Sequence, residues 1–289
     1  MNWYWILGWL PSIFAVVGNA FVFCLICSRR KLRRAVPNLF IMSQALADLG
    51  VGLSFFPAHF ICGFLFSSCV RRIAEDIAVF MIYSSTASIC AMTLDRYLAI
   101  VKPFTYATVM TRRRVLYLIA SSWVVPLISF FVPSFCTSLG GCSINRKVTI
   151  ITWTTMFEFI PCVVLILATV KIVSSVKKYY HEFANIQFQL RYNEPSRKSV
   201  RFPKLSTARV IVTVVICFLV CYSLEFYSSI CFFTKLCKFT DDIFKAVAFL
   251  IVTNSAINPI AYALLKRDIQ REMRTLFFKG KQSTATSAV

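Results

Sequence analysis

The sequence predicts an all-α integral membrane protein: a bundle of seven spanning helices followed by a short amphipathic helix. Three observations lead there. The chain of 289 residues is 58% hydrophobic, with a mean hydropathy of +0.69, too apolar for an ordinary soluble domain. Its charged residues, 15% of the total, cluster between long uncharged runs. Seven such runs reach the ~20 mostly apolar residues that a helix needs to cross a bilayer.

The runs cover residues 4–27, 38–62, 74–100, 115–135, 149–173, 208–233 and 244–265. The first starts at Trp3 with no basic stretch before it and is too long for the apolar core of a signal peptide. It is therefore expected to be the first span and its own insertion signal. Span two carries Asp48, span four Trp123, span five Pro161 and span seven Pro259. Span three is bounded by Glu75 and Asp76 at one end and by Asp95-Arg96 at the other. Residues 1–265 thus make up the bundle, with residues 174–206 as its long basic loop, into which the flanking helices are expected to continue. From Lys266 to Phe278 charged and apolar residues alternate at helical spacing, with Ile269, Met273, Leu276 and Phe277 on one face. That pattern predicts a helix over 266–278 lying on a membrane surface, ahead of a flexible tail at 279–289. The seven runs leave no room for a separate soluble domain, and no Asn-x-Ser/Thr acceptor for N-glycosylation occurs.

A net charge of +20 can signal nucleic-acid binding, but the placement of the charge argues against it. Twenty-five of the 32 Lys and Arg residues fall after spans one, three, five and seven. The other side holds Arg71, Arg72, Arg146, Lys147, Lys235, Lys238 and Lys245. Basic residues mark the cytoplasmic side. The expected protein is therefore a multi-pass plasma-membrane protein with its N-terminus outside and its C-terminus inside. The basic rim also places membrane lipids with anionic headgroups within reach. The two histidines, His59 and His181, belong to no metal or nucleophile motif, which excludes an evident enzyme. A transporter or channel is disfavoured because no inverted repeat or pair of broken helices is visible.

Six motifs in order carry a family resemblance. They are Gly18-Asn19, Leu46-Ala47-Asp48-Leu49, Asp95-Arg96-Tyr97, Trp123, Pro161 and Asn254-Ser255-Ala256-Ile257-Asn258-Pro259-Ile260-Ala261-Tyr262. Together the pattern resembles the rhodopsin-like (class A) G-protein-coupled receptors, and it covers essentially the whole chain. The resemblance implies an extracellular ligand, heterotrimeric G proteins and arrestin as partners, and no catalysis. It also implies a switch: Arg96 pairs with Asp95 at rest and meets the G protein when active, while Tyr262 swings inward about the bend at Pro259, with Phe218 in the moving sixth helix. A carboxylate in mid-membrane needs polar company, and Ser85, Asn254, Ser255 and Asn258 are its expected partners. In the family such a cluster binds a sodium ion that favours the inactive state. The alternative is a protonated Asp48 in an interhelical hydrogen-bond network.

The sequence also departs from the family pattern. In Phe218-Leu219-Val220-Cys221-Tyr222-Ser223-Leu224, Tyr222 and Leu224 replace the family's tryptophan and proline. Thr169 stands where span five usually has a tyrosine, and Lys204 where many members have a glutamate that locks Arg96. Lys204 and Arg96 repel, so elevated basal activity is expected; the altered sixth helix keeps a weakly signalling pseudo-receptor as an alternative. The family's outer cysteine position holds Arg71, with Cys69 two residues earlier. An outward-facing loop is oxidising, so a shifted bridge from Cys69 to Cys142, or else to Cys136, is expected, with a second possible between Cys231 and Cys237. The remaining cysteines lie within spans as packing residues.

For the ligand, the aspartate that anchors amines in aminergic receptors falls at Ala78, and the retinal lysine of opsins falls at Val252. Glu158 and Glu225 remain as intramembrane acids, which are functional candidates by default. A cationic amine or basic peptide is the expected ligand, with Glu225 as its main counter-ion and Glu158 and Asp76 secondary. The competing reading is that these acids are protonated or paired internally. Tyr222, Phe157, Tyr227, Phe226 and Tyr83 offer an aromatic wall. Arg197-Lys198-Ser199 resembles a kinase site, and the terminal Ser287-Ala288-Val289 suits a PDZ domain.

Overall fold

In a computed structural model, the structure describes residues 3–58, 68–138, 146–193, 203–234 and 240–286. Every predicted span is found as helix. In chain order these are α1 (Trp3–Ser28), the short α2 (Arg30–Arg34), α3 (Val36–Ser54), α4 (Ser68–Val101), the short α5 (Pro103–Val109) and α6 (Arg112–Ser138). Then come α7 (Arg146–Thr154), a π turn at Thr155–Phe159, α8 (Ile160–Asn193), α9 (Pro203–Thr234), α10 (Asp241–Leu265) and α11 (Arg267–Thr286). Among the described residues, six helices are long and apolar enough to cross a membrane: Leu7–Ser28, Val36–Ala58, Asp76–Val101, Ile151–Glu182, Ala208–Cys231 and Asp242–Leu265. The fourth predicted span is α6.

The helices form a ring. α1 packs on α3 and α10, α3 on α4, α4 on α6 and α8, α8 on α9, and α9 on α10, with α4 also reaching α9. Large apolar side chains such as Leu10, Val17, Leu167, Val220 and Leu264 face outward, as lipid contact requires. Polar residues are drawn inside instead: Asn19, Gln44, Asp48, Ser84, Ser85, Asn254, Ser255 and Asn258 are all buried. The bundle thus has an apolar exterior around a largely apolar core in which these polar residues are embedded.

Helix ends have local causes. α3 ends at Ser54, helix resumes at 56–58, and the end of span two expected at residue 62 lies outside the described residues. Pro57 has no N–H for the Leu53 carbonyl and its ring crowds it, so the ladder breaks at Phe55 (φ −85°, ψ −96°). α8 runs on to Asn193, as expected for helices that continue into the basic loop at 174–206. α11 continues to Thr286, through part of the expected tail, because nothing after Phe278 forbids helix in a polar segment that is already nucleated.

Prolines set the packing within the membrane. Pro259 lies inside α10 and removes the N–H that the Ser255 carbonyl, four residues earlier, would accept. Asn19 of α1 fills the gap: its Nδ2 donates to the Ser255 carbonyl at 3.0 Å and to the Ala15 carbonyl at 2.8 Å. Gly18 makes that approach possible, since a Cβ there would stand 3.0 Å from the ring of Pro259. The Gly18-Asn19 pair is therefore the complement of a proline some 240 residues away in sequence.

Candidate functional site

The polar interior has three parts. At mid-bundle, Asp48 of α3 is fully buried and accepts four hydrogen bonds. Ser85 (2.7 Å) and Ser255 (2.9 Å) donate to Oδ1, while Asn258 (2.7 Å) and Gln44 (3.1 Å) donate to Oδ2. Three of the four partners expected from the sequence are in place. Asn254 is not: it is buried with neither amide atom hydrogen-bonded. Gln44 takes its place. A polar amide one helical turn before an intramembrane acid, on the same face, was the signal that could have found it.

At the basic end of the bundle, Arg96 lies against Asp95, its Nε donating to Oδ2 at 2.8 Å and its terminal nitrogen closing the ion pair. Asp95 is fully buried, and Tyr106 of α5 donates to its other oxygen at 3.0 Å. Burial, and next the negative charge of Asp95, push the Tyr106 hydroxyl up to about 12, so it stays a donor. Tyr97 turns away from the pair and packs with Ile100, Ile172 and Ala208 between α4, α8 and α9. Nearby, Lys266 caps α10 and is buried, with its ammonium on Asn38 Oδ1 and 3.9 Å from Asp268. Tyr106 and Lys266 escaped the sequence reading because each lies in a connection whose path only the fold reveals.

Towards the other end, the π turn shapes the acid cluster. Pro161 cannot continue an α-helical ladder, and the turn widens so that the Ile160 N–H bonds the Thr155 carbonyl. Glu158 sits in that widened turn, half-buried, and accepts from Ser229 of α9 at 2.9 Å. Ser229 is one turn beyond Glu225, so this hydrogen bond brings Glu158 against the same stretch of α9. Tyr83 of α4 stacks on Phe157, the neighbour of Glu158 in the chain, with ring centroids 4.6 Å apart. Tyr222 stacks on Phe218 at 4.2 Å below them.

The profile of the rhodopsin family of seven-transmembrane receptors matches residues 18–262, from Gly18 of α1 to Tyr262 of α10. The chain belongs to this family. Among its relatives, the octopamine receptor beta-2R of Chilo suppressalis is 26% identical over 92% of this chain and 77% of its own length. The human 5-hydroxytryptamine receptor 4 is 25% identical over 90% of this chain and 75% of its own length. A D(5)-like dopamine receptor of Takifugu rubripes is 27% identical over 95% of this chain and 67% of its own. The protein is a multi-pass membrane receptor and not an enzyme.

Other sequence expectations for the receptor divide as follows. Ala78 is buried and offers no anchor; Asp76 lies about 200° around α4 from it, half-buried. Tyr227, expected in the aromatic wall, is 49% exposed, because two residues carry it about 200° around α9 from Glu225. Phe226 pairs with Phe159 at 4.5 Å instead of facing the acids directly. α9 contains no proline after its first residue and runs unbroken past Tyr222 and Leu224. Tyr262 is wholly buried, and its hydroxyl, like Thr169 Oγ1, has no partner among the described residues. Cys231 is disulfide-bonded, while Cys24, Cys27, Cys90, Cys162, Cys217 and Cys221 are free. The proposed partner Cys237, the side chains of Cys69, Cys136 and Lys204, all of Cys142, and the terminal Ser287-Ala288-Val289 lie outside the described residues.

Proposed function

We propose that this receptor recognises a small cationic amine through Glu158 and Glu225 and activates heterotrimeric G proteins from its basic, cytoplasmic end. One observation carries the ligand reading. The interior acid at the ligand end lies on the fifth and sixth spans, held by the π turn and Ser229, and not at Ala78, where aminergic receptors carry their aspartate. An uncompensated carboxylate inside a membrane is costly, so two of them placed together favour a cation as their partner. The stacked Tyr83 and Phe157 beside them supply the aromatic surface that a desolvated ammonium favours. The names of the octopamine, 5-hydroxytryptamine and dopamine receptor relatives support the same ligand class. Basic peptides are the broader version of this reading.

The test is a panel of biogenic amines on cells expressing the receptor, read as G-protein activation. Glu225→Gln is expected to weaken the potency of an active amine by about 10-fold or more, the cost of leaving a buried charge without its partner. Unchanged potency at equal surface expression would sink the assignment. The unbroken α9 favours a second reading, a receptor that signals weakly because its sixth span lacks the proline bend. Ligand-free G-protein turnover in wild type against Arg96→Ala separates the two. A basal signal lost in the mutant supports coupling, and equal, negligible signals favour the weak receptor.

A further inference from the structure

We propose that Gln44 takes the place of a cation at Asp48, so that this receptor holds its mid-membrane carboxylate with an amide and not with a sodium ion. The argument begins from capacity. A carboxylate offers about four lone-pair directions. All are taken here: Ser85 and Ser255 on Oδ1, Gln44 and Asn258 on Oδ2. Serine hydroxyls adapt to a cation by rotating a lone pair towards it. The Gln44 nitrogen does not adapt, since it carries two hydrogens and no available lone pair. That nitrogen lies 3.1 Å from Asp48 Oδ2 and 2.7 Å from Ser85 Oγ. It therefore occupies the space beside two oxygens that a hard cation would need as ligands.

The orientation of the amide follows from the network. Ser85 gives its proton to Asp48 Oδ1, so its oxygen must accept from Gln44. Turning the amide over would set Oε1 against the carboxylate. As placed, Oε1 is buried without a partner, which is the smaller cost. The site does not lack oxygen: Asn254 Oδ1 and Asn258 Oδ1 are also buried and unpaired. Access to the carboxylate is what Gln44 removes. Its position is built in by sequence, four residues before Asp48 on the same face of α3.

The experiment uses the full-length, ligand-free receptor in detergent and compares Tm in sodium chloride with Tm in choline chloride at equal concentration. Wild type is expected to show no sodium-specific stabilisation. Gln44→Leu is expected to acquire one, saturable and about 3–6 °C at ten times the dissociation constant, and Gln44→Leu combined with Asp48→Asn to lose it again. Two results overturn the proposal: a saturable sodium shift in wild type that Asp48→Asn abolishes, or a well-folded Gln44→Leu that gains none. Should Gln44→Leu not fold, Gln44→Met, closer in volume, replaces it under the same criteria. None of these readings depends on the identity of the ligand.

Discussion

Lys266 offers the most direct test of the packing at the basic end. Its side chain is 4% exposed, locked between α3, α10 and α11 by Asn38 and Asp268. Burial lowers its pKa from 10.5 to about 8, partly countered by the charge of Asp268. In the native receptor the proton leaves near pH 8, and in the unfolded chain near 10.5. Between those values the unfolded state binds more protons, so stability rises with pH. Below pH 8 both states are charged and the full cost of the buried charge is present. Over the whole window the difference is about 3 kcal/mol, and about 2 kcal/mol of it is recovered on going from roughly pH 8 to pH 9.5. For a chain of this size that corresponds to ~4–8 °C in Tm. The assay is thermal unfolding of wild type and Lys266→Met across pH 7 to 10, approximately the window set by the shifted value. The difference between their curves cancels every group the two share. Wild type should gain on the mutant as pH rises. Parallel curves would refute the claim that this lysine is buried as a charge.

Three further outcomes follow from the same geometry and from the motifs. Asn19→Ala strips the Ser255 carbonyl of its donor beside Pro259 and should cost about 1–3 kcal/mol in thermal unfolding, and a loss within error would remove Asn19 from that role. Tyr106→Phe deletes one of the bonds that hold Asp95, so ligand-free G-protein activation should rise at equal surface expression. An unchanged basal signal would mean that Tyr106 does not contribute to the resting lock. Lys204→Glu restores the acid that many family members carry at this position and should lower ligand-free signalling, and no change would refute the expectation of elevated basal activity.

The architecture was legible in the sequence because a bilayer imposes a length and a composition that a single chain must satisfy locally. Seven runs of the right length, and the family motifs placed upon them, are properties of contiguous residues, and all seven appear as helices. The Asp95–Arg96 pair is of the same kind, since its two members are adjacent. Helix ends were less legible. α11 overruns its expected end at residue 278 because polarity marks where the membrane stops and not where helix stops.

What the tertiary structure alone decided is which side chains from different helices meet. Sequence placed Asp48 in the membrane and named Ser85, Ser255 and Asn258 as its company, but the choice of Gln44 over Asn254 depends on the rotation of α3 and α10 about their axes. The same is true of Asn19 with Ser255, Tyr106 with Asp95, and Glu158 with Ser229. A rotation of one residue is about 100°, enough to exchange an interior face for a lipid-facing one, as exposed Tyr227 shows beside buried Ser228. Hydropathy averages over a whole span and is blind to that angle. The sequence by itself determined that this chain is a seven-helix receptor. The angles set by close packing at Gly18, Pro161 and Pro259 decided which of its polar residues act together.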